Sequence, residues 1–278
     1  LGARTPARVA VLFDWDSWWA LETTDGINRH LRYPEIVLGY HRAVWEAGAD
    51  VDAVPVTADL GGYDVVLAPA LHLLKDGVAD RLAEVAARGG TVVTTFLSGL
   101  ADVSARAFPG DPPLTSLLGV RVDEWDSREP AVVNPITLAD GSTVGSRLHF
   151  DLITPLTADV VGVYDRDFYA GTAAITTNSY GGGQAWYAGA GLDADGVAWV
   201  VRRALDRHGL TGPYAGVPDL EVATRVTADG VPLLFLLNHR DRPVEIVADR
   251  DGRDLLSGAR LARGETIRLP ARDVMIIR

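Results

Sequence analysis

The chain has 278 residues, of which 47% are hydrophobic and 23% charged, and its formal net charge is −11. This length and composition are typical of one large or two smaller folded domains and exclude a disordered chain, while the negative charge argues against nucleic acid or an anionic membrane as a partner. Because cysteine is absent, disulfides, thiolate metal sites and cysteine nucleophiles are excluded, and a cytoplasmic location is expected.

The first hundred residues alternate between apolar strands and amphipathic helices. Continuous apolar runs predict buried strands at 8–13, 51–56, 64–68 and 91–96. Helical spacing of apolar residues predicts a helix at 33–48, with Pro34 in its first turn, and a second that Asp76 caps and Gly89-Gly90 ends. This order of elements predicts an open, mostly parallel sheet with helices on both faces.

The pattern changes between residues 118 and 187, where short strand-like segments replace the helices. Asp140-Gly141 predicts a hairpin, and Gly181–Gly183 predicts another. A third helix is expected at 194–208, because its apolar residues lie on one face and Gly209 follows it.

The last part of the chain is predicted to be a separate β domain. Residues 211–218, "TGPYAGVP", have the composition of a linker, and only short strand-like segments follow. We therefore expect an amidotransferase-like (flavodoxin-like) domain at residues 1–212 and a small antiparallel β domain at residues 213–278.

The most unusual stretch is "FDWDSWWALE" at 13–22, which holds three of the seven tryptophans. It follows the first predicted strand, at the carboxyl edge where open α/β sheets present functional loops. Tryptophan rings stack on sugars and also anchor protein interfaces. We expect Trp15, Asp16, Trp18 and Trp19 to form an interface or pocket wall on a loop, with core packing as the alternative. Asp14 and Asp16 are expected to bond within that loop or to hold a partner's arginine.

Ser98 is the one candidate nucleophile at an amidotransferase-like position, because it follows the strand predicted at 91–96. It lacks the preceding glycine that a nucleophile elbow requires. The six histidines are scattered along the chain, so a distant base stays possible, but an ordinary turn serine is the favoured interpretation.

Metal, cofactor and phosphate sites are not predicted. Asp14 and Asp16 have no histidine at ligand spacing nearby, and His208 closes an apolar helical face. Gly181–Gly183 does not follow a strand and open a helix, so it is better explained as a turn than as a phosphate cradle.

A glycosidase needs two carboxylic residues about 5–10 Å apart on a rigid scaffold. The 37 acidic residues make individual carboxylates uninformative. A (β/α)8 barrel needs eight strand–helix units, and the sequence contains only a few. The sequence therefore gives no sign of a barrel glycosidase's catalytic machinery.

The chain has the features of a fragment. Its only methionine is Met275 and it begins with Leu1-Gly2. We expect that it was cut from something longer, with trimming of a tag or propeptide as the alternative.

Several motifs together resemble one family. "VAVLFDWDSWWALE", "YHRAVWEAGADVDAV", "RGGTVVTTFLSGLADV" and "DFYAGTAAITTNSYGGGQAWYAGAGLD" resemble the middle domain of glycoside hydrolase family 42 β-galactosidases. "EVATRVTADGVPLLFLLNH" and the closing "DVMIIR" are similar to the small C-terminal domain of the same enzymes. The resemblance covers nearly the whole chain in order.

This resemblance implies a catalytic barrel, an amidotransferase-like trimerisation domain and a β domain in the full enzyme. In the family both catalytic glutamates lie in the barrel, and the acid/base belongs to an Asn-Glu pair that does not occur in this sequence. The resemblance thus implies a homotrimer, with the absent barrel as a further partner and β-galactosides as the full enzyme's substrate. It supplies no catalytic residue, no cofactor and no metal for this chain, which is expected to be inactive alone.

Two rival hypotheses remain. A stand-alone amidotransferase-like domain would bind galactose or a similar molecule without hydrolysing anything. An active enzyme of another type would need Ser98 or an undetected pair of carboxylates.

Overall fold

Buried apolar strands and the helices that cover them determine the architecture. The computed structural model describes residues 2–23 and 27–278. Its helices are α1 (Trp15–Glu22), α2 (Tyr33–Glu46), α3 (Val78–Ala87), α4 (Thr115–Leu118) and α5 (Ala194–Asp206). None of these described helices is long and apolar enough to cross a membrane.

The strands form two groups, one in the large sheet and one in the C-terminal part of the chain. The strands of the large sheet are β1 (Val9–Phe13), β2 (Val51–Pro55), β3 (Val65–Ala68), β4 (Thr91–Thr95), β5 (Val120–Ser127), β6 (Asn134–Leu138), β7 (Thr143–Pro155), β8 (Asp159–Tyr164), β9 (Ala173–Tyr180), β10 (Gly183–Ala188) and β11 (Ala190–Leu192). The strands of the C-terminal part are β12 (Leu220–Val226), β13 (Pro232–Asn238), β14 (Val244–Val247), β15 (Gly252–Arg253), β16 (Arg260–Leu261), β17 (Thr266–Leu269) and β18 (Val274–Ile277).

Five strands form the parallel half of the large sheet, in the order β2-β1-β3-β4-β10. β1, β3 and β4 are almost wholly buried, as strands covered on both faces must be. α2 and α5 contribute to the core on one face, and α3 and α4 contribute to the core on the other. The predicted helices at 33–48 and 194–208 are confirmed, whereas Gly77 rather than Asp76 precedes the first turn of α3.

The other half of the large sheet is antiparallel, so the predicted parallel arrangement is confirmed for the half that contains β1 to β4 and β10. β5 to β9 lie in sequence between β4 and β10, and the predicted hairpins at Asp140-Gly141 and Gly181–Gly183 are confirmed. β11 continues past Gly189 from β10 and pairs with β7. The backbone of Gly189 donates to β9 and accepts from β7. The antiparallel strands therefore close on themselves as a small barrel, because β10 and β11 act as one strand.

The C-terminal strands confirm the predicted small antiparallel domain. They pair as β12-β13-β18, β14-β17 and β15-β16. Their side chains form a hydrophobic core of their own, which includes Leu236, Ile246 and Leu269. The amide of Gly212 donates to the carbonyl of Ala47 just after α2, and Tyr214 already belongs to the small core.

Four buried tyrosines predict a loss of stability at alkaline pH. Burial is the largest cause that raises the pKa values of Tyr33, Tyr40, Tyr164 and Tyr187 above the ordinary value of about 10. The buried neutral tyrosines therefore stabilise the fold fully below the pKa that tyrosine has in the unfolded chain. This stabilisation is lost as the pH rises towards the higher pKa values of the same tyrosines in the folded chain. Above pH about 10 the free energy of unfolding should fall by about 1.4 kcal/mol per pH unit for each such tyrosine.

Urea unfolding measured from pH 8 to 11 checks this prediction. Tyr40→Phe is the matched variant, because burial alone accounts for the raised pKa of Tyr40. In the Tyr40→Phe variant the free energy of unfolding should fall less steeply with pH, by the contribution of one tyrosine. Equal slopes for the variant and the parent chain would contradict the assignment.

Candidate interaction site on the first helix

The tryptophan stretch forms helix α1 directly after β1, which corrects the prediction of a loop. Asp14 is the N-cap: its carboxylate accepts hydrogen bonds from the Ser17 amide (3.0 Å) and the Ser17 hydroxyl (2.7 Å). The Ser17 hydroxyl in turn accepts from the Leu73 amide at 3.0 Å. A capped first turn that is tied to the segment after β3 gives α1 a defined orientation.

Lys75, the only lysine of the chain, lies between the two aspartates. Its Nζ donates to Asp14 Oδ1 at 2.5 Å and lies 2.6 Å from Asp16 Oδ2. Partial burial lowers the pKa of Lys75, but the hydrogen bonds and charges of Asp14 and Asp16 outweigh it, so the net shift is upward. The aspartates therefore bind a lysine within the chain, and sequence reasoning missed it because 61 residues separate Lys75 from Asp14.

The three tryptophans divide between the core and the surface. Trp18 is partly buried and its ring packs edge-on against Phe13 at 5.9 Å. Trp15 and Trp19, one helical turn apart, are each 56% exposed, and their ring centroids are 6.2 Å apart. An exposed pair of adjacent indoles held on a capped helix is typical of interface anchors.

The crevice between β1 and β3, where open sheets of this kind bind ligands, is occupied by the chain itself. Asp14 follows β1 and is only 2% exposed, and Lys75 and Leu73 come from the segment after β3. Hydrogen bonds among these groups close the crevice. This edge of the sheet therefore supports the position of α1.

Ser98 lacks the geometry of an activated nucleophile. In the turn after β4 the left-handed residues are Leu97 (φ 63°), whose side chain is buried, and Gly99 (φ 71°). Ser98 is also buried, and its hydroxyl accepts from the Leu71 amide at 3.1 Å. Nδ1 of the nearby His72 lies 3.3 Å from the carbonyl oxygen of Leu97, not against the serine. The turn-serine interpretation fits this arrangement.

The described residues contain no group of three or more histidines, aspartates or glutamates placed to hold a metal ion. His208, predicted to be a packed histidine, is half-buried, with Nε2 2.9 Å from the Thr91 hydroxyl. Gly181–Gly183 packs against the end of α3, where a Cβ on Gly183 would lie 2.0 Å from a backbone oxygen. The triple glycine thus serves a tight turn.

Sequence reasoning missed a buried polar cluster in the barrel. His149, Asp151 and Tyr187 are fully buried. Asp151 accepts from the Tyr187 hydroxyl at 2.5 Å, and its other oxygen lies 2.7 Å from His149 Nε2. The imidazole stacks on Phe96, with ring centroids 5.1 Å apart. The only signal in the sequence is the alternation of His149 and Asp151 on one strand, which places both on the same face.

The fold and the exposed helix define the class of protein: an α/β domain with exposed aromatic side chains on α1, joined to a small β domain. The family model of the β-galactosidase trimerisation domain matches residues 7–211, and that of the β-galactosidase C-terminal domain matches residues 219–278. The chain therefore belongs to the glycoside hydrolase family 42 β-galactosidases, of which these are the trimerisation and C-terminal domains.

Relatives and solved structures agree with this assignment. The chain is 34% identical to β-galactosidase LacZ of Lactobacillus acidophilus over 93% of the chain and 39% of the relative, and 36% identical to β-galactosidase BgaP of Planococcus sp. over 100% and 42%. The β-galactosidase of Bacillus circulans sp. alkalophilus superposes with a TM-score of 0.93 at 32% identity, covering 100% of this chain and 42% of that one. The chain thus spans about two fifths of the length of these relatives.

Proposed function

We propose that this chain assembles three subunits of a longer β-galactosidase through the exposed face of α1. Membership of a family of trimerisation domains supports self-association. The exposed indoles of Trp15 and Trp19 supply apolar anchors, and Asp16 and Lys75 supply a charged border beside them. Trp18 contributes by holding the helix against Phe13.

The longer enzyme would hydrolyse terminal β-D-galactosides with retention, through a covalent intermediate on a glutamate. The relatives' names support this substrate class. The two catalytic glutamates would lie in a barrel outside these 278 residues, so this chain would be inactive alone and would act as a wall beside the barrel. We also propose that the enzyme is cytoplasmic, as the cysteine-free sequence leads us to expect.

The finer description of the fold is also part of the proposal. The strand order β2-β1-β3-β4-β10 corresponds to the flavodoxin-like order 2-1-3-4-5, which supports an amidotransferase-like domain. We place the division between this domain and the β domain at residues 212 and 213. The contact of Gly212 with Ala47 and the membership of Tyr214 in the small core support that division. The comparisons do not favour the alternative of a stand-alone sugar-binding domain.

Replacing Trp15 and Trp19 together with serine tests the assembly site. Interface anchors each contribute about 2 kcal/mol or more, so the dissociation constant of the trimer should rise by at least about 100-fold. Light scattering over a dilution series should show three times the chain mass of 29.7 kDa for the parent and a monomer for the variant. The melting temperature of the monomer should change little, because both rings are exposed.

Phe168→Ser is the matched control, because Phe168 is an exposed aromatic residue on the loop after β8. It should leave the trimer intact. A trimer that persists without both indoles would contradict the proposed site, and a parent chain that is monomeric at every concentration would contradict assembly by this chain.

Lys75 provides an independent readout of the same surface. It is the only side-chain amine in the sequence, and it is partly exposed beside α1. Assembly through α1 should slow its acylation by an amine-reactive ester, measured by mass spectrometry against the N-terminal amine. The same acylation rate in monomer and trimer would place the interface elsewhere.

A further inference from the structure

A cleft of about 500 Å³ lies between α2, β11 and the first turn of α5. Its volume is in the range of about 300–1,000 Å³ that is typical of ligand pockets in proteins. Apolar side chains form much of its floor; they include Leu31, Ile36, Tyr40, Phe96, Ala190 and Val197. None of the eight residues of α1 lines it, so the tryptophans of the same chain do not fill this cleft.

Gly39, in the middle of α2, lines this cleft and has no evident role within the chain. A Cβ at this position would meet no heavy atom within 4 Å, and the backbone is ordinary helix. Glycine in a helix interior is destabilising relative to alanine by about 1 kcal/mol. Glycine at such an open position in a helix is typical of sites where another molecule approaches the backbone closely.

The cleft has an apolar floor and a charged rim, as protein interfaces do. Leu38, beside Gly39, is 63% exposed and extends the apolar surface of the cleft to its opening. Arg32, Arg42 and Arg147 surround the opening, together with Glu35 and Glu46. Among the described ion pairs none involves these three arginines. Their guanidinium groups can therefore pair with carboxylates that a partner brings.

We propose that this cleft receives the Trp15 and Trp19 indoles of a second copy of the chain. The proposal rests on the proposed function, because it supplies the opposite half of the same assembly contact. A closed three-fold ring uses heterologous contacts, in which one patch of each subunit meets a different patch of its neighbour. The indoles fit the apolar floor, and Asp16 beside them meets the arginines of the rim. Gly39 allows the rings to reach the α2 backbone.

Gly39→Trp tests the cleft, because the new ring has open space in the monomer and fills the receiving site. The variant should be a monomer in light scattering, with a melting temperature at or above that of the parent monomer, because tryptophan is a better helix former than glycine. Gly39→Ala should raise the melting temperature of the monomer by about 2–4 °C and still weaken the trimer several-fold.

Mixing two defective variants identifies the pairing. The Trp15→Ser/Trp19→Ser chain keeps an open cleft, and the Gly39→Trp chain keeps its indoles, so one intact contact can form between them. Each variant alone should be monomeric, and the equimolar mixture at high concentration should contain a species of two chains. This species cannot close into a ring, because its second contact lacks both halves.

The outcomes separate this inference from the proposed function. If Gly39→Trp trimerises like the parent, the cleft is not the receiving site, while the result for the tryptophan pair stands by itself. If Gly39→Trp is monomeric but the mixture forms no two-chain species, the cleft receives something other than the indoles and the pairing is overturned. If the Trp15→Ser/Trp19→Ser chain trimerises, both proposals fail.

Discussion

Replacing Asp14 with alanine is expected to lower the free energy of unfolding by about 3 kcal/mol. The carboxylate is buried and accepts from the Ser17 amide, the Ser17 hydroxyl and Lys75, so the substitution removes a helix cap and one partner of an ion pair together. Urea unfolding followed by tryptophan fluorescence measures the loss. Trimer formation should weaken as well, because α1 loses the cap that orients its indoles.

Asp16→Ala is the matched control for this prediction. Asp16 pairs with the same lysine, but its side chain is 48% exposed, and exposed ion pairs contribute at most about 1 kcal/mol. The free energy of unfolding should therefore change by less than about 1 kcal/mol. Equal losses for the two variants would mean that the ion pair, and not the buried cap, holds the helix.

Replacing Asp151 with alanine is expected to lower the free energy of unfolding by about 3–5 kcal/mol, because it leaves two buried polar groups without their hydrogen-bond partner. The Tyr187 hydroxyl would lose its acceptor and His149 Nε2 would lose its neighbour, and neither group can reach water in the folded chain. Urea unfolding with a constant m-value would measure the change.

Tyr187→Phe is the matched variant for this cluster. It removes one donor but leaves Asp151 beside His149, so the expected loss is smaller, about 1.5–3 kcal/mol. A loss below about 1 kcal/mol for Asp151→Ala would contradict the role assigned to the cluster, because removing one partner of a buried pair costs more.

The elements with strong periodicity could be predicted from the sequence. α2 and α5 have apolar faces of three to four turns and clear stops at Gly48 and Gly209, so local physics determines them. The sequence predicts a loop where α1 lies, because its eight residues have tryptophans at 15, 18 and 19 without a clear apolar face. Its helical state depends on the Asp14 cap and on packing of Trp18 against Phe13, which no periodicity reveals.

The candidate site was predictable only in part. The sequence indicated a functional surface formed by Trp15, Asp16, Trp18 and Trp19. The role of these residues in an interface or pocket wall stays a prediction. It could not indicate which rings are exposed, because Trp15 and Trp19 differ from Trp18 by their position around a helix that was not predicted. Nor could it indicate the cleft beside Gly39, whose walls come from α2, β11 and α5.

Local pattern alone determined the alternation of strands and helices, the two glycine-rich hairpins and the antiparallel C-terminal domain, since each depends on residues close together in sequence. Tertiary structure decided the features that join distant segments: the pairing of Lys75 with Asp14, the closure of the barrel through Gly189, and the Asp151–Tyr187 hydrogen bond. The reason is physical. A buried charge or hydroxyl without a hydrogen-bond partner raises the free energy of the folded state. Which group becomes its partner depends on how the whole chain packs.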